Sequence, residues 1–135
     1  MNVRLLEFPS VIDPRGNLMF AEFPNHLPFQ PKRFFATYGV PVGSVRGEHA
    51  HKRNEQIIVS LKGSVVVTVD DGSAKEEYLL DSPEKGLYIA PLIWGIQSGH
   101  SEDCVMLVLA SDVYQESGYL RNYAEFLACV KQQAL

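Results

Sequence analysis

The chain has 135 residues, a formal net charge of −4 and a hydrophobic fraction of 46%, which together fit one compact domain over residues 1–135. No block of lysine and arginine is present, so we expect no nucleic-acid partner. No apolar run approaches the length of a membrane-spanning helix, so we expect no membrane partner. The first residues lack the apolar core of a signal peptide, and we therefore expect a cytoplasmic protein.

Short β-rich segments separated by turns follow one another along most of the chain. They span residues 33–38, 56–61, 76–80, 86–90 and 104–110. In SVVVTVDDGS, residues 64–73, four valines and a threonine run into an Asp-Gly turn, which predicts a hairpin whose second arm is EEYLL. Many short strands at this spacing predict an all-β sandwich or barrel.

The last fifteen residues, RNYAEFLACVKQQAL, change from a strand period to a helical one. Tyr123, Phe126, Leu127 and Val130 fall on one helical face, and Asn122 is the predicted N-cap. We expect a short C-terminal helix that covers apolar sheet surface on the outside of the β unit.

The stretch RGEHAHKRNEQ, residues 46–56, contains His49 and His51 on either side of Ala50. Successive strand residues point to opposite faces, so the two imidazoles share a face. If that face is the inside of a barrel, both histidines reach one cavity. Such a pair indicates a functional site, which either holds a metal or moves protons.

The histidine spacing resembles the first motif of the cupin family, G-x5-H-x-H-x3–4-E-x6-G. Gly43, His49, His51 and Gly63 fit its longer version, in which Gln56 stands at the position of the metal-binding glutamate.

Glu55 fits the shorter spacing, but it leaves seven residues before Gly63, and alternation places it on the face opposite Gln56.

The second cupin motif carries a further histidine, and its place in this chain is taken by PLIWGIQ. The next histidine is His100 in SGHSED, which we interpret as a solvated turn. Two of the four expected ligands are therefore missing, and two imidazoles make a poor divalent-metal site. We predict no metal and an acid–base role for the histidines.

Five segments in order, D-P-R-G-N-L, Y-G-V-P, R-G-E-H-A-H-K, L-D-S-P-x-K-G-L-Y-I-x-P and L-V-L-A-S-D-x-Y, resemble the dTDP-sugar 3,4-ketoisomerases, the WxcM-like cupins of nucleotide-sugar biosynthesis. The resemblance covers nearly the whole chain. It implies a cupin-like jelly-roll β-barrel with a short C-terminal helix.

The same resemblance implies the substrate dTDP-4-keto-6-deoxyglucose and a 3-keto product, which an aminotransferase converts to a 3-amino sugar for glycan biosynthesis. The reaction passes through an enediol and requires no redox cofactor, and no cofactor motif is present. We predict His51 as the carbon base and His49 as the enediolate stabiliser or relay, with the order left open because paired histidines titrate together. Tyr38 is predicted to donate to the keto oxygen or, alternatively, to be a core aromatic.

By resemblance, Arg46 binds the diphosphate, provided that a bulge at Gly47 turns it to the histidine face. Arg15 and Arg33 are further candidates for the same contact.

The remaining predicted contacts are polar or aromatic. Gln56 and Ser60 share a strand face and are expected to hydrogen-bond the sugar. Tyr88 and Trp94 are expected to stack on the thymine or wall the pocket, with core packing as the alternative for Trp94.

The resemblance also implies a homodimer that exchanges an N-terminal strand, for which RLLEFP, residues 4–9, has the required pattern. Three alternatives remain: a metal-dependent cupin dioxygenase using His49, His51 and Glu55, a non-catalytic sugar-nucleotide-binding cupin, and a 3,5-epimerase, whose usual motifs differ from those here.

Overall fold

The computed structural model describes residues 1–134, which form twelve short strands, one 3-10 turn and one α-helix. The strands are β1 (Val3–Glu7), β2 (Ser10–Val11), β3 (Leu18–Met19), β4 (Arg33–Tyr38), β5 (Arg46–His51), β6 (Gln56–Lys62), β7 (Val65–Asp70), β8 (Lys75–Leu80), β9 (Lys85–Ile89), β10 (Trp94–Ser98), β11 (Val105–Ala110) and β12 (Tyr119–Leu120). The 3-10 turn spans Glu116–Gly118 and the helix, α1, spans Tyr123–Gln133.

Ten strands form two antiparallel five-stranded sheets, in the orders β1-β9-β6-β11-β4 and β12-β5-β10-β7-β8. Strands β2 and β3 form a separate hairpin. The predicted all-β fold with a C-terminal helix is confirmed. In this single chain β1 pairs with β9 from Val3↔Ile89 to Glu7↔Lys85. An exchanged strand would make the same pairs with a second chain, so strand exchange stays a prediction.

The main core lies between the two sheets. Ile58, Leu87 and Met106 of the first sheet pack with Val67 and Val69 of the second, and each is at most 1% exposed. Strand geometry directs every second side chain of β7, those of Val65, Val67 and Val69, into this core. Burial of one such side chain contributes about 1.5–3 kcal/mol, so these alternating residues fix which face of each strand points inward.

The outer face of each sheet is also covered. Phe8, Leu27 and Phe29 of the N-terminal region pack on the outer face of the first sheet. Helix α1 covers the second sheet, where Phe126 is fully buried with Trp94.

The predicted helix is confirmed, including its N-cap. The Asn122 side chain accepts a hydrogen bond from the backbone N–H of Glu125. The final residue of the predicted helical segment, Leu135, lies outside the described residues. Across the part of the chain that the structure describes, no helix has both the length and the apolar character needed to cross a membrane.

Strand β10 was not predicted from the sequence, although it lies at the centre of the second sheet. Its WGIQS sequence has a glycine at the second position and only two alternating apolar residues, Trp94 and Ile96, which are too few to indicate a strand. The strand is defined instead by its pairing with β7 on one side and β5 on the other.

A β-bulge interrupts the pairing of β5 with β10. Gly95 pairs with His49, but the next residue of β10, Ile96, pairs with Gly47, which leaves Glu48 as the extra residue. Glu48 adopts the left-handed region at φ 57°, and Gly47 has φ 85°.

Beyond the bulge Arg46 pairs with Gln97, and Gln97 in turn pairs with the inward-facing Val67. The bulge expected near Gly47 is therefore present, and it returns Arg46 to the inward face.

The Gly47→Ala substitution tests the bulge. A Cβ at this position would lie 2.9 Å from the carbonyl oxygen of Gly95, and the left-handed φ adds backbone strain. We expect a loss of about 1–3 kcal/mol in the free energy of unfolding, measured by urea denaturation.

Gly118→Ala is the matched control, because a Cβ at Gly118 meets no atom within 4 Å and no left-handed φ is required there. It should change stability by less than about 0.5 kcal/mol. Equal stability of the two variants would contradict the role given to Gly47.

Candidate active site

The histidine pair lies on the inward face of β5. The ring centroids of His49 and His51 are 5.0 Å apart and nearly perpendicular. Tyr119 pairs with His51 across the β12–β5 contact. Its ring centroid lies 4.5 Å from that of His51 and 5.1 Å from that of His49. Two imidazoles and one phenol therefore form a single cluster, as the shared face of the H-x-H pair predicts for the two histidines.

A cavity of about 400 Å³ lies beside this cluster, which is within the usual range for small-ligand sites. Its lining includes His51 and Tyr119 together with four cationic side chains and one carboxylate. These charged residues are Lys32, Arg33, Lys52, Arg53 and Asp112. The excess of positive charge in a chain of net charge −4 favours an anionic ligand.

The bulge also fixes the tautomer of His49. Nδ1 of His49 lies 3.1 Å from the carbonyl oxygen of Gly47. A carbonyl oxygen can only accept, so Nδ1 carries the proton and Nε2 of the neutral ring is left with a free lone pair.

Burial lowers the pKa of both histidines. For His49, the hydrogen bond to Gly47 opposes the effect of burial. For His51, burial is joined by the charges of His49, Arg33 and Arg121, and its pKa falls to about 3. The site therefore holds two neutral imidazoles at neutral pH, and a neutral imidazole can accept a proton.

Tyr119 is held by charged neighbours on two sides. The guanidinium carbon of Arg121 lies 4.4 Å from the centroid of the Tyr119 ring. Glu116 accepts two hydrogen bonds from Arg121, at 2.7 and 3.0 Å, and one from the hydroxyl of Tyr114. An Nη of Arg33 donates to the Tyr119 hydroxyl oxygen at 3.5 Å.

Tyr119 is not predicted from the sequence, because a two-residue strand about 70 residues after the histidines gives no local pattern that would place it beside them. Only the register of β12 against β5 brings it there.

Besides Ser60, which pairs with the core residue Met106, three of the predicted polar residues lie on the inward face. Arg33 and Gln56 both pair with Ala110 of β11, on the face that carries the core residue Val108. Arg46 is returned inward by the bulge. Of these three, Arg33 lines the cavity beside His51.

The structure does not bring Tyr38 to the histidines. Arg33 faces inward and Tyr38 lies five residues further along the same strand, so strand alternation turns Tyr38 to the outer face. It is 76% exposed there. Within this chain Tyr38 therefore lies away from the histidine pair and is not a core aromatic, and its predicted donation to the keto oxygen stays a prediction.

Ser60 and Tyr88 are held by contacts away from the histidines. The fully buried Ser60 hydroxyl donates to the carbonyl groups of Lys62 and Gly63, so it stabilises the turn after β6. Tyr88 lies on the outer face of the first sheet, where its hydroxyl donates to Glu55 at 2.6 Å.

Trp94 and Arg15 also lie outside the histidine cluster. Trp94 is buried between the second sheet and α1, against Phe126, so the alternative interpretation of core packing is correct. Arg15 is in the exposed loop between β2 and β3, where it forms an ion pair with Asp13 at 2.9 Å.

The residues that a cupin metal would need do not converge. Gln56 faces inward, whereas the Glu55 carboxylate accepts from Tyr88 on the outside of the first sheet. Within residues 1–134 no three histidine, cysteine or acidic side chains lie together as a metal site requires. His100 is only 3% exposed, so the prediction of a solvated turn is wrong for this side chain.

A two-sheet barrel with an inward-facing histidine pair defines the chain as a cupin-type protein. The family model described as FdtA: WxcM-like, C-terminal matches residues 1–131, and the chain belongs to this family.

Named relatives agree with the family. The chain is 43% identical over 126 residues, 93% of its own length and 91% of the relative's, to a TDP-4-oxo-6-deoxy-α-D-glucose-3,4-oxoisomerase of Aneurinibacillus thermoaerophilus. The crystal structure of QdtA, a sugar 3,4-ketoisomerase of Thermoanaerobacterium thermosaccharolyticum in complex with TDP, superposes with a TM-score of 0.96 at 36% identity, over 99% of this chain and 98% of the other. WlaRA, a TDP-fucose-3,4-ketoisomerase of Campylobacter jejuni, superposes over the full length of both chains with a TM-score of 0.93 at 32% identity.

The lowered pKa of His51 predicts how stability depends on pH. The folded-state pKa of about 3 lies below the ordinary value of 6.5, so the unfolded chain binds more protons between these values. The contribution of His51 to stability is complete above pH 6.5 and decreases as the pH falls toward 3. We expect wild-type protein to lose more unfolding free energy than His51→Asn between about pH 7.5 and about pH 5 in urea denaturation. The same pH dependence in both proteins would contradict the neutral, buried state of His51.

Proposed function

We propose that this protein is a sugar-nucleotide 3,4-ketoisomerase that converts dTDP-4-keto-6-deoxyglucose to the dTDP-3-keto-6-deoxyhexose. The observation that carries the proposal is the pair of neutral imidazoles beside a basic cavity, in a chain of the FdtA family. The named relatives that match almost the whole chain are isomerases of this kind. The 3-keto product is the substrate that an aminotransferase requires to make a 3-amino sugar.

The reaction removes a proton from C3 of the sugar and adds a proton at C4, with no net oxidation or reduction of the sugar. A base removes the proton from C3, which is acidic because it lies next to the C4 ketone, and an enediol forms. The O3 hydrogen is then released as C3 becomes the ketone, and C4 takes up a proton. Atoms and electrons balance without an external oxidant or reductant, so proton-transferring side chains are the groups that the reaction needs.

We propose His49 as the carbon base, the reverse of the order predicted from sequence, because of its hydrogen bond with Gly47, although His51 is the histidine that lines the cavity. The Gly47 carbonyl holds the Nδ1 proton of His49 and leaves Nε2 free to accept. His51 is 5% exposed, and its pKa of about 3 makes it a weak base. His51 lines the cavity and is better suited to hydrogen-bonding the sugar oxygens and relaying the proton.

The cationic side chains on the inward face and in the cavity are proposed to bind the diphosphate of the substrate. Arg46 lies on the same inward face as the histidines, and a guanidinium binds a diphosphate in a bidentate manner. The lysines and arginines of the cavity add further positive charge beside His51. Gln56 faces inward and is proposed to hydrogen-bond the sugar. A cytoplasmic location remains part of this proposal, since nucleotide-sugar substrates are made there.

Three variants test the proposal. Wild-type protein should convert dTDP-4-keto-6-deoxyglucose, and His49→Asn or His51→Asn should lower kcat by about 10²–10⁴-fold because each removes a proton-transfer group. Arg46→Ala should raise the Kd for TDP by about tenfold or more, measured by titration calorimetry. The two histidine variants should keep the wild-type Kd for TDP.

Deuterium exchange at C3 of the substrate separates the two histidines. In deuterated water His51→Asn should still exchange the C3 proton, whereas His49→Asn should not. If His49→Asn exchanges the C3 proton and His51→Asn does not, His51 is the carbon base. Lys131→Ala is the charge control for Arg46→Ala, because Lys131 is exposed at the end of α1 and should leave the Kd unchanged.

We also propose that the protein is a homodimer that exchanges β1. The support for a second chain is the exposed apolar surface on β4, one of the two edge strands of the first sheet, where Phe34 is 73% and Tyr38 76% exposed. Such an edge is normally covered by another strand, helix or chain. The exchange of β1 itself is what the family resemblance implies.

A disulfide between the exposed partners Glu7 and Lys85 tests the exchange. In Glu7→Cys/Lys85→Cys the two thiols face each other across β1 and β9. If β1 is exchanged, oxidation gives a covalent dimer on a non-reducing gel. A cross-linked monomer would contradict the exchange, and each single variant is the control for other thiol pairing.

A further inference from the structure

The isomerisation requires a donor at the keto oxygen as well as a base at carbon, and Tyr38 is on the wrong face of its strand to be that donor. We infer that the Tyr119 hydroxyl donates to the keto oxygen of the sugar and passes a proton between the two oxygens. This inference rests on the proposed function. It moves the proton relay between the sugar oxygens from His51 to Tyr119 and leaves His51 as a hydrogen-bonding partner of the sugar.

Tyr119 lies within reach of a sugar that is bound beside the two histidines. It is half-buried, lines the cavity, and contacts both imidazole rings, so a sugar whose C3 lies near the histidines also lies near the phenol. The C3 and C4 oxygens of a hexose are on adjacent carbons. One hydroxyl at this place therefore reaches both of them with a small movement.

The hydroxyl of Tyr119 is also placed to donate a hydrogen bond to a ligand. A phenolic oxygen can accept and donate at the same time. Arg33 donates to this oxygen, so the accepting position is used and the O–H is free to point elsewhere. Among residues 1–134 no side-chain or backbone acceptor bonds this O–H, and an acceptor supplied by the ligand would complete it.

The cationic neighbours keep the ring in place. Arg121 lies against the Tyr119 ring, and Glu116 holds Arg121 through two hydrogen bonds. A phenol fixed between two guanidinium groups and two imidazoles presents its hydroxyl at one position, which is the preorganisation that a catalytic donor requires.

The proton balance closes with two protein groups, the imidazole base and the Tyr119 phenol. As the base takes the C3 hydrogen, the C3–H electron pair forms the C3=C4 bond and O4 takes the Tyr119 proton. The O3–H proton then returns to the phenolate oxygen, and the electrons of the O3–H bond form C3=O. The electron pair of the C3=C4 bond then takes the proton from the imidazolium and forms the C4–H bond. The imidazole is neutral again and the enzyme ends unchanged.

Tyr119→Phe tests the inference, because it keeps the ring packing on both histidines and removes only the hydroxyl. We expect kcat to fall by about 100-fold or more while KM for dTDP-4-keto-6-deoxyglucose and the midpoint of urea unfolding stay close to wild type. C3 exchange in deuterated water should slow by the same factor as product formation.

Tyr78→Phe is the matched control. Tyr78 packs against the main core, and its hydroxyl bonds Glu76 at the protein surface, so the variant should have wild-type kcat.

Two results would overturn the inference while leaving the proposed function intact. One is an active wild type together with unchanged kcat in Tyr119→Phe. The other is a large loss of kcat in Tyr38→Phe but not in Tyr119→Phe, which would return the donor role to Tyr38. A wild-type protein that does not turn over this substrate would contradict the proposed function itself, and the inference with it.

Discussion

The geometry of the site depends on one local constraint, the bulge at Gly47 and Glu48 opposite Gly95. The extra residue turns Arg46 back to the face that carries the histidines, which strict alternation would not allow. The same bulge presents the Gly47 carbonyl to His49 and so decides which ring nitrogen holds the proton. Glu48 holds a left-handed conformation, which costs a non-glycine residue about 1–2 kcal/mol, so core packing elsewhere must offset this strain.

Electrostatics then determine what the histidines can do. They are enclosed with Tyr119 in a part of the barrel where several guanidinium groups lie close, and both imidazoles are held neutral. A neutral imidazole can accept a proton, which a protonated one cannot. The positive charge that opposes protonation is the same charge that attracts an anionic sugar nucleotide. When the diphosphate binds, it offsets part of that charge and makes it easier for an imidazole to hold the proton taken from C3.

The sequence predicts the parts of this account that depend on local patterns. The β7–β8 hairpin, the shared face of His49 and His51, and the N-cap of α1 are short-range features, and each was predicted correctly. The failures come from long-range pairing. Tyr119 has no sequence signal because its place depends on the β12–β5 register. The outward position of Tyr38 follows from strand alternation only after the pairing of β4 with β11 has shown that Arg33 faces inward.

The most direct test of the account is proton NMR of dTDP-4-keto-6-deoxyglucose incubated in deuterated water with protein treated with EDTA. We expect a 3-keto product that carries deuterium at C4, because the histidines exchange protons with solvent between removal at C3 and delivery at C4. An unchanged sugar that becomes reactive only when a divalent metal is added would contradict the acid–base role of His49 and His51 and identify them as metal ligands.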